Sequence, residues 1–151
     1  MSTVTWRAYQ ANDLDACLAI FRSNQQPFFA SDEYAEYEEF LKHEVNAKTS
    51  PYYVMLKEHT IVGCGGYMCH EGTAFLTWGM LERGHHGQGL GRELVRWRIR
   101  QLQNELGDMP VAIVTSQHTA PIYQRLGFVE KKRKENGFGP GLDAVRMQLA
   151  Q

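Results

Sequence analysis

Between Leu81 and Arg92 the chain reads Leu-Glu-Arg-Gly-His-His-Gly-Gln-Gly-Leu-Gly-Arg, and no other stretch restricts the fold as much. Before it, Ala74 to Leu81 reads as a β-strand. After it, Leu90, Leu94, Ile99, Leu102 and Leu106 form a helical stripe, helped by Val95 and Trp97, until Gly107 ends the pattern. A strand therefore enters a long helix through a glycine-rich turn. Glycines let the backbone turn sharply and approach a ligand with no side chain between. The first N–H groups of a helix lack intrahelical partners and carry partial positive charge. Together these features suit a phosphate or diphosphate, and Arg83, His85, His86 and Arg92 add charge nearby. The same glycines also serve a turn that binds nothing, so the run alone does not choose. It lacks the Gly-Lys-Ser/Thr of a P-loop, and Arg92 stands where a dinucleotide fingerprint needs its third glycine.

The rest of the chain alternates between two periods. Val4 to Tyr9 reads as a strand. Asn12 or Asp13 caps a helix through about Asn24, which Gln25-Gln26-Pro27 breaks. Ser31 caps a second helix carrying Tyr34, Tyr37, Phe40, Leu41 and Val45, with Glu33, Glu36, Glu38 and Glu39 mainly in its first half. Strands follow at Tyr52 to Lys57, Ile61 to Cys69 and Ala74 to Leu81, the last two joined by Glu71-Gly72-Thr73. Gly63, Gly65 and Gly66 weaken a strand and mark a bulge or a close approach by a ligand or helix. Val111 to Thr115 is a short apolar strand. A helix from Thr119 or Ala120, with Pro121 in its first turn, ends at Gly127. Phe128 to Lys132 and Ala144 to Leu149 are the last strands, joined by Glu135 to Gly141. The order β-α-α-β-β-β-α-β-α-β-β describes one α/β (α+β) domain over residues 1–151. Its curved mixed sheet has about seven strands and is flanked by four helices.

Composition narrows the function. The 151 residues suit one core, and 43% apolar with 22% charged residues is ordinary for a folded globular chain. Sixteen basic against seventeen acidic residues, net −1, give no electrostatic reason to expect nucleic acid as a partner. No apolar run approaches the ~20 residues of a membrane span, and Met1 to Gln10 lacks a signal-peptide pattern. Three cysteines, Cys17, Cys64 and Cys69, fit reduced thiols in a cytoplasmic protein. Cys64 and Cys69 fall on opposite strand faces, so they do not pair. Six histidines show no metal-ligand spacing, and no metal is expected.

A second segment, Thr115-Ser116-Gln117-His118-Thr119-Ala120-Pro121-Ile122-Tyr123-Gln124-Arg125-Leu126-Gly127-Phe128, follows the glycine run about thirty residues on. Together the two segments resemble the GNAT superfamily of acyl-CoA-dependent N-acetyltransferases. The family's Gln/Arg-x-x-Gly-x-Gly/Ala maps onto His86-Gly87-Gln88-Gly89-Leu90-Gly91, with His in the first position. Tyr123 and Leu126-Gly127-Phe128 match the later motif, and Gln117 stands near its usual Asn. The resemblance implies acetyl-CoA as cosubstrate, in a V-shaped opening between the Ala74–Leu81 and Val111–Thr115 strands. It places the diphosphate on the amides of His86, Gly87, Gln88, Gly89, Leu90, Gly91 and Arg92. It places the pantetheine along Met80, Leu81 and Glu82, with Gln117 and Tyr123 nearby.

The implied reaction is direct attack of an amine on the thioester within a ternary complex. By family position the Leu81 amide stabilises the thioester oxygen, and Tyr123 protonates the leaving thiolate. A phenol of pKa ~10 and a thiol of ~8.5 exchange a proton at small cost. The base for the acceptor ammonium is open among Glu82, Glu71, His118, Glu33 and water, with Glu82 first because it follows the strand end. The frequent family base position falls at or near Phe75, which cannot serve. The acceptor, an amine of a small molecule, peptide or protein, meets the connection holding Phe28 and Phe29 and the last hairpin with Asp143. The two phenylalanines either line a pocket or plug the core. A homodimer is common in the superfamily. The alternative reading is a non-catalytic acyl-CoA-binding module.

Overall fold

The computed structural model describes residues 3–150. Its strands are β1 (Val4–Ala8), β2 (Tyr52–Lys57), β3 (Thr60–His70), β4 (Thr73–Leu81), β5 (Val111–Thr115), β6 (Phe128–Gly139) and β7 (Leu142–Leu149). Its helices are α1 (Leu14–Phe28), α2 (Glu33–His43), α3 (Leu90–Leu106) and α4 (Ala120–Arg125). Single turns of 3-10 helix cover Ala11–Asp13 and Arg83–His85. The strands form one sheet in the order β1-β2-β3-β4-β5-β7-β6, antiparallel except for β4 and β5.

That parallel pair creates the site. Only Ala74↔Val111 and Phe75↔Ala112 are paired, after which the two strands diverge and leave the C-terminal half of β4 with an open edge. A bulge adds to the opening. Between the pairs Gly66↔Thr77 and Cys64↔Met80, β3 contributes only Gly65 while β4 contributes Trp78 and Gly79. Trp78 takes a φ of 40°, costly for a bulky residue, and the Tyr52 hydroxyl holds its carbonyl at 2.7 Å.

Four features depart from the sequence expectation. Helix α1 continues past Gln25-Gln26-Pro27 to Phe28. Proline has no N–H for the Ser23 carbonyl, and Arg83 Nε donates to that carbonyl instead. Asp13 does not cap α1 with its side chain. The Arg7 fork holds its carboxylate at 2.7 and 2.9 Å and keeps its pKa below the ordinary value. Most of Glu135–Gly141 is strand rather than connection, because Asn136 accepts a φ of 56° and a register shift between Lys134 and Gly139 absorbs the extra residues. In α3, Leu106 is exposed, while Arg98, outside the expected stripe, is fully buried.

Gly66 lies where the chain has no room for a side chain. A Cβ there would sit 2.1 Å from the Pro51 carbonyl oxygen, which is backbone and fixed. Gly66→Ala is therefore expected to destabilise the protein by about 2–3 kcal/mol, lowering Tm by several degrees in a calorimetric scan. An unchanged Tm would mean that this edge of β2 yields freely.

Candidate active site

The turn that follows β4 is locked from within. Glu82 accepts from the Gly84 N–H at 3.0 Å and lies 2.9 Å from His85 Nδ1. These two partners hold its carboxyl below the ordinary range, the Gly84 bond most strongly. Glu82, the first choice for a base, is thus committed to shaping the turn. Gly87 and Gly89 both have φ of 80°, and at each the space a Cβ would enter is empty. Gly89 is the residue before α3, whose first amides have no intrahelical partner. The open, side-chain-free space beside those amides has room for a diphosphate. Gln88 and Arg92 are exposed there. His86 is also exposed, with its Nε2 lying 2.9 Å from the Leu81 carbonyl.

That carbonyl also accepts from Asn24 Nδ2 at 2.7 Å. Its direction follows from the ladder. Glu82 N–H donates to Val62 O, so Leu81 and Gly63 form the non-hydrogen-bonded pair of an antiparallel ladder. The N–H and C=O of Leu81 consequently point away from β3, toward the open edge. Met80 and Leu81 line a cavity of about 220 Å³ with Asn24, Phe28, His86 and Tyr123, on the side of the turn. The Tyr123 side chain is buried, and its hydroxyl makes no hydrogen bond among the described residues.

Arg98 reaches the same cavity from α3. Its Nη1 lies 3.3 Å from the carbonyls of Gly66 and Thr77 beside the bulge, while Nη2 has no partner among the described residues. Gly79 permits this: a Cβ there would lie 2.3 Å from Nη2. The sequence signal was present but unread, since Leu94, Arg98 and Leu102 share one helical face.

A second cavity, of about 390 Å³, opens on the other side of β4. Phe28 and Phe29 line both cavities, and Phe29 also packs against the core. Phe29 stacks on Phe21 (4.5 Å) and faces Trp78 (6.4 Å). Glu33 and Glu36 also line this cavity. Glu33 is 7% exposed; one oxygen accepts from Ala30 N–H at 3.2 Å, and the other makes no hydrogen bond among the described residues. Burial pushes its pKa up to about 7.

Two expected contacts do not form in the cleft. Asp143, expected to meet an amine, accepts from the Asn136 N–H at 2.9 Å and lies 3.6 Å from Arg133, away from the cavities. Gln117 spends both ends of its amide on the same hairpin, donating to Gly141 O and accepting from Asp143 N–H, each at 2.8 Å. Glu71 lies at the far end of β3, and His118 edges Phe28 at 6.5 Å. No group of three or more metal-ligating side chains converges among the described residues. Nor is any described helix long and apolar enough to cross a membrane.

A mixed sheet parted beside a bulged strand, with a glycine-lined helix start at one end of the gap, is the frame of an acyltransferase. Residues 48–130 match the family model for the acetyltransferase (GNAT) domain, and the chain belongs to that family. Several solved structures share the fold. A GNAT-family protein from Desulfovibrio desulfuricans is 21% identical with a TM-score of 0.80, covering 97% of this chain and 98% of that one. The ribosomal-protein-S18-alanine N-acetyltransferase of Escherichia coli is 17% identical with a TM-score of 0.76, covering 97% and 93%. A spermidine N-acetyltransferase variant from Vibrio cholerae is 18% identical with a TM-score of 0.76, covering 97% and 92%. No curated protein matches the chain.

Proposed function

We propose that this acetyltransferase moves the acetyl group of acetyl-CoA to a primary amine, with Glu33 as base and Tyr123 as acid. The observation that carries the reading is one cleft through the parted sheet. The glycine turn and the start of α3 stand at one end, and a buried carboxylate of raised pKa at the other. Bound there, acetyl-CoA supplies an activated thioester, so no nucleophile is asked of the protein. The amides of Gly89 to Arg92 hold the diphosphate. The Leu81 N–H, facing the open edge, donates to the thioester oxygen; a donor of this kind contributes ~3 kcal/mol. Glu33 takes the proton from the acceptor ammonium, a transfer that costs far less with a base near pH 7 than with an ordinary carboxylate. Tyr123 donates its hydroxyl proton to the departing sulfur and regains one from solvent.

The test is release of CoA from acetyl-CoA across a panel of amines, with the acetylated product identified by mass. Tyr123→Phe is expected to lower kcat roughly 10²-fold while leaving acetyl-CoA affinity within a few-fold, as for loss of a general acid. Equal turnover in the phenylalanine variant would remove the acid role.

A further inference from the structure

The acceptor cavity continues onto a bare face of the sheet. Side chains directly opposite in neighbouring strands point to the same face. The register links Met68, Phe75 and Ala112, then Ala112 and Gln148; it also links Val114, Arg146 and Lys132, and Lys134 with Ala144. Alternation along each strand puts all of these on one face. The guanidinium of Arg146 stacks over Phe75 at 5.1 Å, which agrees with that assignment. Met68 and Val114 are exposed at 38% and 44%, and both also line the acceptor cavity, as does Phe75. Arg146, Lys132 and Lys134 are exposed, and none forms an ion pair among the described residues. Helix α4 packs on the opposite face, where Ala120 and Tyr123 cluster with Phe128, Val145 and Met147. The face is thus an apolar floor edged by three unpaired cations.

Charge is segregated across this surface. Glu33 and Glu36 stand at the cavity on the α2 side, and the cations lie beyond β5. Two strand spacings, roughly 10 Å, separate β5 from Lys132 and Lys134 on β6. Glu33 stands across the cavity from β5, so an amine seated there lies farther still from the lysines, beyond the reach of an amino acid's own carboxylate. An extended chain of three to five residues covers ~10–17 Å, at ~3.3 Å per residue.

Resting on the acetyl-transfer reading above, we infer that the acceptor amine is the end of a polypeptide segment, and that acidic residues about three to five positions from the amine dock on Lys132, Lys134 and Arg146.

The test compares three octapeptides with free N-termini. One has acidic residues at positions three to five, the second has their amides, and the third has lysines there. The acidic peptide is expected to show kcat/KM roughly tenfold above the amide peptide at low salt, with the gap narrowing by 0.5 M salt. In the double variant K132E/K134E, whose changes are on exposed side chains, the order inverts and the lysine peptide is preferred. Equal rates for the three peptides would overturn the inference while leaving acetyl transfer standing, as would small free amines that outrun every peptide. So would a dimer in sedimentation that dissociates in K132E/K134E, which would assign the face to a second copy. No CoA release with any amine would overturn both.

Discussion

Glu33→Gln is expected to lower kcat/KM at pH 7 by roughly 10²-fold, the usual contribution of a general base. In the parent enzyme kcat/KM should rise with pH and level off above about 7, where Glu33 ionises. The variant should lose that limb, its rate climbing instead toward the pKa of the free amine. Stability should move the other way. Burial raises the Glu33 pKa, so ionisation is harder in the folded chain than in the unfolded one. Between the ordinary value of 4.5 and about 7 the folded state holds more protons, and stability falls as pH rises through that window. Glutamine carries no such penalty and can still accept from the Ala30 N–H. The variant should therefore melt at or above the parent temperature at pH 8 and close to it at pH 4. A variant that lost activity and stability together at pH 8 would make Glu33 a structural cap and not a base.

Gly89→Leu addresses the other end of the cleft. Nothing lies within 4 Å of the added Cβ, so no clash is expected. The φ of 80° costs a leucine about 1–2 kcal/mol, and Tm should fall only by several degrees. The side chain would nevertheless fill the space into which the α3 amides point. Losing two charge-assisted hydrogen bonds at ~1.5–3 kcal/mol each weakens acetyl-CoA binding at least ~100-fold, readable by calorimetric titration. Near-normal affinity in a folded Gly89→Leu protein would remove the diphosphate from this turn.

Much of this chain is legible in its sequence. The order of strands and helices followed from hydrophobic periods and from glycine and proline punctuation, because those signals act within a few residues of one another. The glycine turn was legible for the same reason: positive φ at Gly87 and Gly89 is a local requirement, and so is the helix start beside them. Tyr123 stands out through a motif, and it lines the cleft.

Tertiary structure decided which polar groups remained free to act. Glu82, Asp143 and Gln117 were reasonable candidates by position, yet folding gave each a nearby hydrogen-bond partner, and a carboxylate or amide so occupied has little left for a ligand. Glu33 was one acid among four in the first half of α2, and only the packing of that helix against the aromatic cleft buried it and raised its pKa. Arg98 became a buried support because the carbonyls of Gly66 and Thr77 beside the bulge face it, a pairing between strand and helix that no local pattern encodes. Local physics thus set the elements and the turn. Burial and partner choice depend on residues far apart in the chain, so they arose only when the sheet closed around its gap.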